Sequence, residues 1–187
     1  MTHQFHPTTL REYDIRGIIG ETLGEADAYA IGRGFATLIA RAGGKCVVVG
    51  YEGRVSSPAL EGSHNPANYN GFKMVFQGRP FFGADIHKLG EMATTGDWDS
   101  GTGTSRSIDI LDQYVDRLVE DFGGMAARVG WDCGNGAAGP VIEKLTKLLA
   151  ERGAGEHHLL YTEVDGSFPN HHPDPTEEKN LEDLKAL

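Results

Sequence analysis

The sequence predicts a layered α/β protein, and three observations carry that expectation. Apolar residues recur at helical spacing in several segments, short apolar runs separate those segments, and glycine-rich turns mark each change. Alternating helices and strands bury their apolar faces best as three layers, α/β/α, around a mostly parallel sheet. The 187 residues, 39% hydrophobic and 24% charged, suffice for one full domain or two small ones.

The elements follow in order. Ala28, Ile31, Phe35, Leu38 and Ile39 form one face of a helix that starts at Gly24-Glu25 and stops at Gly43-Gly44. The apolar run CVVVG (46–50) then reads as a buried strand, which would also bury Cys46. Residues 94–106, TTGDWDSGTGTSR, are poor in apolar side chains and read as a linker, dividing the chain into domains 1–105 and 106–187. Ser107 is a candidate cap for a helix whose stripe is Leu111, Tyr114, Val115, Leu118, Val119 and Phe122. RVGWDC (128–133) reads as a strand, GNGAAGP (134–140) as a turn into the helix 141–153, and HHLLYTEV (157–164) as the next strand. Asp174, Pro175 and Glu177 have the order of an N-cap, a first helical residue and a capping-box partner.

Composition excludes some function classes. With 17 Lys+Arg against 27 Asp+Glu the formal net charge is -10, which disfavours nucleic acid and anionic membranes as partners. No apolar run is long enough to span a bilayer and the first residues lack a signal-peptide pattern, so a cytoplasmic location is expected. Cys46 and Cys133, far apart and each beside a strand-like run, read as two buried free thiols. The pairs His157-His158 and His171-His172 read as solvent-exposed, because neighbours on a strand point to opposite faces and cannot both ligate one metal. Asp97-Trp98-Asp99 and Gly90-Glu91-Met92 each read as an ordinary loop or helix end.

The chemically dense stretch is SHNPANYNGFK (63–73). Ser63 supplies a hydroxyl, His64 an imidazole and Lys73 an amine. Pro66 restricts the backbone around Asn65, and Asn70-Gly71 permits a reversal with positive φ that would carry Lys73 back toward Ser63. A hydroxyl beside a cation and an imidazole suits phosphoryl transfer; a polar surface turn is the plainer alternative. GNGAAG (134–139) also fits a dinucleotide-binding turn, but Glu156 precedes the next strand instead of ending it, so close helix-to-strand packing is the preferred reading.

The order and spacing of SHNPANYNGFK resemble the active-serine loop of the α-D-phosphohexomutases, the phosphomannomutase and phosphoglucomutase family. REYDIRG (11–17), GYEGRVSSPALE (50–61), DCGNGAAGP (132–140) and FPNHHPDPTEEKNLEDL (168–184) are similar to other parts of that family. The resemblance implies an intramolecular phosphotransferase acting on hexose phosphates, with a hexose bisphosphate intermediate. It implies Ser63, His64 and Lys73 as catalytic residues and Tyr13, Arg16 and Asn65 as substrate-binding residues. It also implies Mg²⁺, held in part through the phosphate on Ser63. In the family several dozen residues separate the SSPALE segment from SHNP, whereas Gly62 alone stands between Glu61 and Ser63 here. The resemblance therefore implies a shortened first domain and a partial second one, without the aspartate-rich metal loop. A catalytically inactive phosphosugar-binding or interaction module is the alternative. Loss of the covering elements is expected to expose apolar surface and favour self-association.

Overall fold

Residues 1–51, 68–124 and 126–187 are described by the structure, a computed structural model, and they divide into one unit of Met1–Gly103 and another of Thr104–Leu187. In the first unit β1 (Ile15–Ile18) precedes α1 (Glu25–Arg41), followed by β2 (Tyr69–Phe72), β3 (Val75–Phe76), β4 (Arg79–Pro80) and α2 (Ala84–Thr95). Helix α1 starts where Gly24 is extended and the Asp27 carboxylate reaches back to accept its N–H at 2.8 Å, the acidic half of a capping box. It ends at Ala42, after which Gly43 takes a positive φ of 81°. Ile15, Ile31, Phe81, Ile86 and Leu89 form the buried core, joined by Phe35, Phe72 and Phe76. Gly34 lets α1 approach α2: a β-carbon there would stand 3.3 Å from Leu89 Cγ.

Strands β1 and β2 pair antiparallel, from Ile15 opposite Phe72 to Ile18 opposite Tyr69. Strands β3 and β4 pair antiparallel across Gln77-Gly78, whose φ values of 51° and 75° fit a two-residue turn available only to antiparallel neighbours. Asn70-Gly71 is therefore not the expected reversal. Both residues lie inside β2, where Asn70 is buried and a β-carbon on Gly71 would run into the Ile15 carbonyl oxygen. CVVVG is likewise not a buried strand. Val48 is 91% exposed, and among the described residues no strand pairs with this run. Cys46 is consequently exposed rather than buried.

Helix α2 went unread in the sequence, although Ile86, Leu89, Met92 and Ala93 form a buried helical stripe. Only its last two residues, Thr94 and Thr95, fall in the expected linker, and it stops at Gly96, which is left-handed with φ 73°.

The second unit contains α3 (Leu111–Glu120), β5 (Ala127–Asp132), α4 (Gly139–Glu151), β6 (Gly155–Leu160), a 3₁₀ turn (Glu178–Leu181) and α5 (Glu182–Ala186). Strands β5 and β6 pair in parallel, from Ala127 opposite Gly155 to Asp132 opposite Leu160, with α4 as the crossover. On one face Trp131 packs with Val115, Val119, Leu145 and Leu149 of α3 and α4. On the other, Gly130 leaves room for Leu184 and Leu187. This part of the molecule is the expected sheet with helices on both faces. Parallel pairing is confined, among the described strands, to β5 and β6.

Two expected caps fall elsewhere. Helix α3 begins at Leu111, whose N–H donates to Asp109 Oδ1 at 2.9 Å, so Ser107 lies outside the helix. Asp174 instead holds a local turn, accepting from the backbone N–H and hydroxyl of Thr176 at 2.9 and 2.6 Å, and regular helix resumes only at Glu182.

Candidate active site

The antiparallel register of β1 and β2 decides which expected site residues meet. Because Ile15 stands opposite Phe72, Tyr13 before β1 and Lys73 after β2 emerge at the same end of the ladder, with Arg16 inside it opposite Gly71. The Asp14 carboxylate, 7% exposed, accepts the Arg16 guanidinium through Nε at 3.0 and 3.1 Å and through Nη2 as well. This fork fixes the direction of Arg16. Tyr13 is 76% exposed and stacks on Phe82, ring centroids 6.3 Å apart. Lys73 is exposed at the rim of an apolar groove of about 720 Å³, lined by Ile31, Phe35, Val47, Val48 and Phe72 among others. Ser63, His64 and Asn65 lie outside the described residues.

The arrangement brings the Tyr13 phenol and the Lys73 amine to the Ile15–Phe72 end of the ladder, while the described residues resume at Asn68, beside the opposite, Ile18–Tyr69 end. Among the described residues no group of three or more His, Cys, Asp or Glu side chains could hold a metal ion. The residues described do not by themselves fit the implied Mg²⁺. Asp97 and Asp99, whose spacing suggested carboxylates in an ordinary loop, are bound by the Arg41 fork at 2.8 Å each. The hydrogen bonds from Arg41 hold both carboxyls below the usual carboxylate range and raise the arginine in turn. Between them Trp98 stacks on Arg33, which also lies over Tyr29.

In the second unit the G-N-G turn is a packing device. Gly134 and Asn135 have positive φ, and a β-carbon on Gly139 would collide with the Thr162 carbonyl oxygen. Asn135, 5% exposed, donates from Nδ2 to the Glu163 carbonyl at 3.0 Å, and its Oδ1 accepts from Asn170 at 2.8 Å. Burial first, then Asp132 and Glu143, push the Cys133 thiol up, which keeps it protonated. The histidines depart from the expected exposure. His171 has a side chain only 16% exposed and bonds to Asp132 at 3.0 Å, while His157 accepts from Trp131 Nε1 at 3.1 Å. Strand alternation said nothing of His171, since residues 161–174 form a loop rather than a strand.

No helix among the described residues is long and apolar enough to cross a membrane. Residues 7–62 match the family model for phosphoglucomutase/phosphomannomutase, alpha/beta/alpha domain I. A phosphomannomutase/phosphoglucomutase of Pseudomonas aeruginosa is 35% identical over 218 residues, covering 94% of this chain and 46% of the relative. A phosphoglucomutase of Neisseria meningitidis is 32% identical, over 94% of this chain and 47% of that one. The chain thus spans about half the length of the curated relatives it matches. The Pseudomonas match runs over 218 residues although this chain has 187, so the relative carries additional residues within the matched span. A solved structure of a phosphoglucomutase/phosphomannomutase family protein from Burkholderia thailandensis superposes with a TM-score of 0.89 at 32% identity, covering 98% of this chain and 50% of that one. A putative phosphomannomutase from Thermus thermophilus, 18% identical with a TM-score of 0.71 over 100% of this chain and 52% of its own, shares the fold. Over the span these matches cover, the chain is similar to proteins of the phosphoglucomutase/phosphomannomutase family.

Proposed function

We propose that this chain carries the phosphoryl-accepting part of a phosphohexomutase, with a shortened first domain over residues 1–105 and a linker helix and partial second domain over 106–187. The observation that supports the reading is the β1–β2 register, which brings Tyr13 and Lys73 to the Ile15–Phe72 end of the ladder, with Arg16 one pair inside it. In the proposed reaction Ser63 Oγ attacks a phosphorus of a hexose bisphosphate. The bond from that phosphorus to the sugar oxygen breaks, and the serine proton passes to the departing oxygen, with His64 as its carrier. Lys73 offsets phosphate charge, while Tyr13, Arg16 and Asn65 hold the sugar phosphate. Mg²⁺ would supply further charge neutralisation in the whole protein. The apolar groove beside Lys73 is proposed to drive self-association, with Val48 and Val49 as its exposed contacts.

Incubating the 187-residue chain with hexose 1,6-bisphosphate, followed by intact-mass and peptide analysis, tests the assignment. The expected result is label on Ser63, lost in Ser63→Ala, without measurable mutase turnover. Turnover depends on several positioning and electrostatic contacts together, and loss of a single such contact costs about a hundredfold or more. Label elsewhere with Ser63 unmodified overturns the role of Ser63. Robust turnover abolished by Ser63→Ala overturns the view that the site is incomplete. Hexose phosphate binding without labelling favours the inactive phosphosugar-binding module instead.

A further inference from the structure

Both ring nitrogens of His171 face acceptors. Nδ1 lies 2.9 Å from the carbonyl oxygen of His172, and Nε2 lies 3.1 and 3.0 Å from the two carboxylate oxygens of Asp132. A carbonyl and an ionised carboxylate can only accept, so both contacts are satisfied together when the ring carries two protons. We propose that the His171 imidazolium is a pH-sensitive clasp that holds residues 171–174 to the carboxyl end of β5 and lets that short segment open when the proton leaves.

The surroundings fit a clasp. Side-chain exposures of 16% for His171 and 7% for Asp132 keep water from replacing the bond. Asp132 Oδ1 also accepts the Gly134 N–H at 2.9 Å, which anchors the carboxylate to the turn. From the loop just after β6, Tyr161 sets its ring edge-on at 5.4 Å and donates its hydroxyl to Asp183 of α5. Two carboxylates, Asp132 and Asp183, therefore face the ring, and the neighbouring Cys133 is held as a neutral thiol. Burial disfavours the charge on His171, but the bonds to His172 and Asp132 and the fields of both carboxylates outweigh it, so His171 titrates above the ordinary histidine value. A raised folded-state value means the clasp is fully present below the unfolded value of about 6.5 and is lost as pH rises through the folded one.

Opening is confined by what does not titrate. Asn135 holds the preceding loop through Glu163, Asp165 and Asn170, contacts that involve only amides and carbonyls. The Asp174 N–H, which donates to the His172 carbonyl at 2.8 Å, sits inside the segment expected to open.

The test is a proton NMR titration of the His171 ring in the full chain, with amide hydrogen exchange followed over the same pH range. The expected outcome is a midpoint above about 6.5. Exchange at Asp174, corrected for base catalysis, should rise with that midpoint, while exchange at Asp165 should not. Asp132→Asn should lower the midpoint, and His171→Gln should abolish the pH-dependent part of the exchange. A wild-type midpoint at or below the ordinary value overturns the proposal, as does corrected exchange at Asp174 that ignores the titration. The wild-type measurements decide the matter even if either variant fails to fold.

Discussion

β5 and β6 meet across one crossover helix, whereas Val47, Val48 and Val49 find no strand to pair with among the described residues. The valines are a β-branched run of the kind that forms buried strands, whereas β5 and β6 mix apolar residues with Arg128, Glu156, His157 and His158. The difference is supply. Around β5 and β6 the chain provides α3 and α4 for one face and α5 for the other, and Gly130 and Gly139 give the clearance that close layers need. Around the valines it provides an open apolar groove. A strand-forming sequence becomes a paired strand only where neighbours complete its hydrogen bonds and pack on its faces.

Substitutions sharpen the contrast. In the covered part of the first unit, Leu89→Ala removes a wholly buried side chain between α2 and α1. It should cost about 2–5 kcal/mol in urea denaturation. Gly155→Ala should be next, since its φ of 92° is unfavourable for alanine and a β-carbon would meet the Ala127 backbone. The expected loss is about 1–3 kcal/mol, read as earlier melting of the β5–β6 circular dichroism signal. Val48→Ala should change stability by no more than about 0.5 kcal/mol, because the side chain is 91% exposed. A loss as large as that of Leu89→Ala would show that the valines are covered after all and erase the comparison. The smallest effect should come from Arg41→Gln. Its contacts to Asp97 and Asp99 are exposed, so the melting midpoint should scarcely move and the remaining difference should fade in high salt.

Legibility in the sequence followed the same divide. Helix α1, the β5–α4–β6 crossover and the G-N-G turn could be read because their periodicity and turn residues are local. Helix α2 carried an equally local signal in Ile86, Leu89, Met92 and Ala93, but Gly90 and the neighbouring Gly/Thr-rich run masked it. CVVVG misled because its apolar pattern says that a partner is needed and not whether one is supplied. Asn70-Gly71 misled because turn chemistry is local while the close approach to Ile15 is tertiary. Of the expected site residues, Tyr13 and Arg16 were named by likeness of motif and Lys73 first from its own loop, and only the strand register shows that Tyr13 and Lys73 emerge at one end of the ladder. The clasp was not legible at all, since Asp132 and His171 are 39 residues apart and adjacent only once the loop folds over the turn.

The chain has two tryptophans, and they fall one to each unit. Trp98 donates its indole N–H to the Met1 carbonyl at 2.9 Å and lies against the Arg33 guanidinium, whereas Trp131 is packed in a core and donates to His157. Each unit therefore contains its own intrinsic fluorophore in a distinct electrostatic setting. Replacing either indole with phenylalanine leaves an emission spectrum that belongs to one half of the chain, so the order in which the halves lose structure can be followed optically without any attached dye.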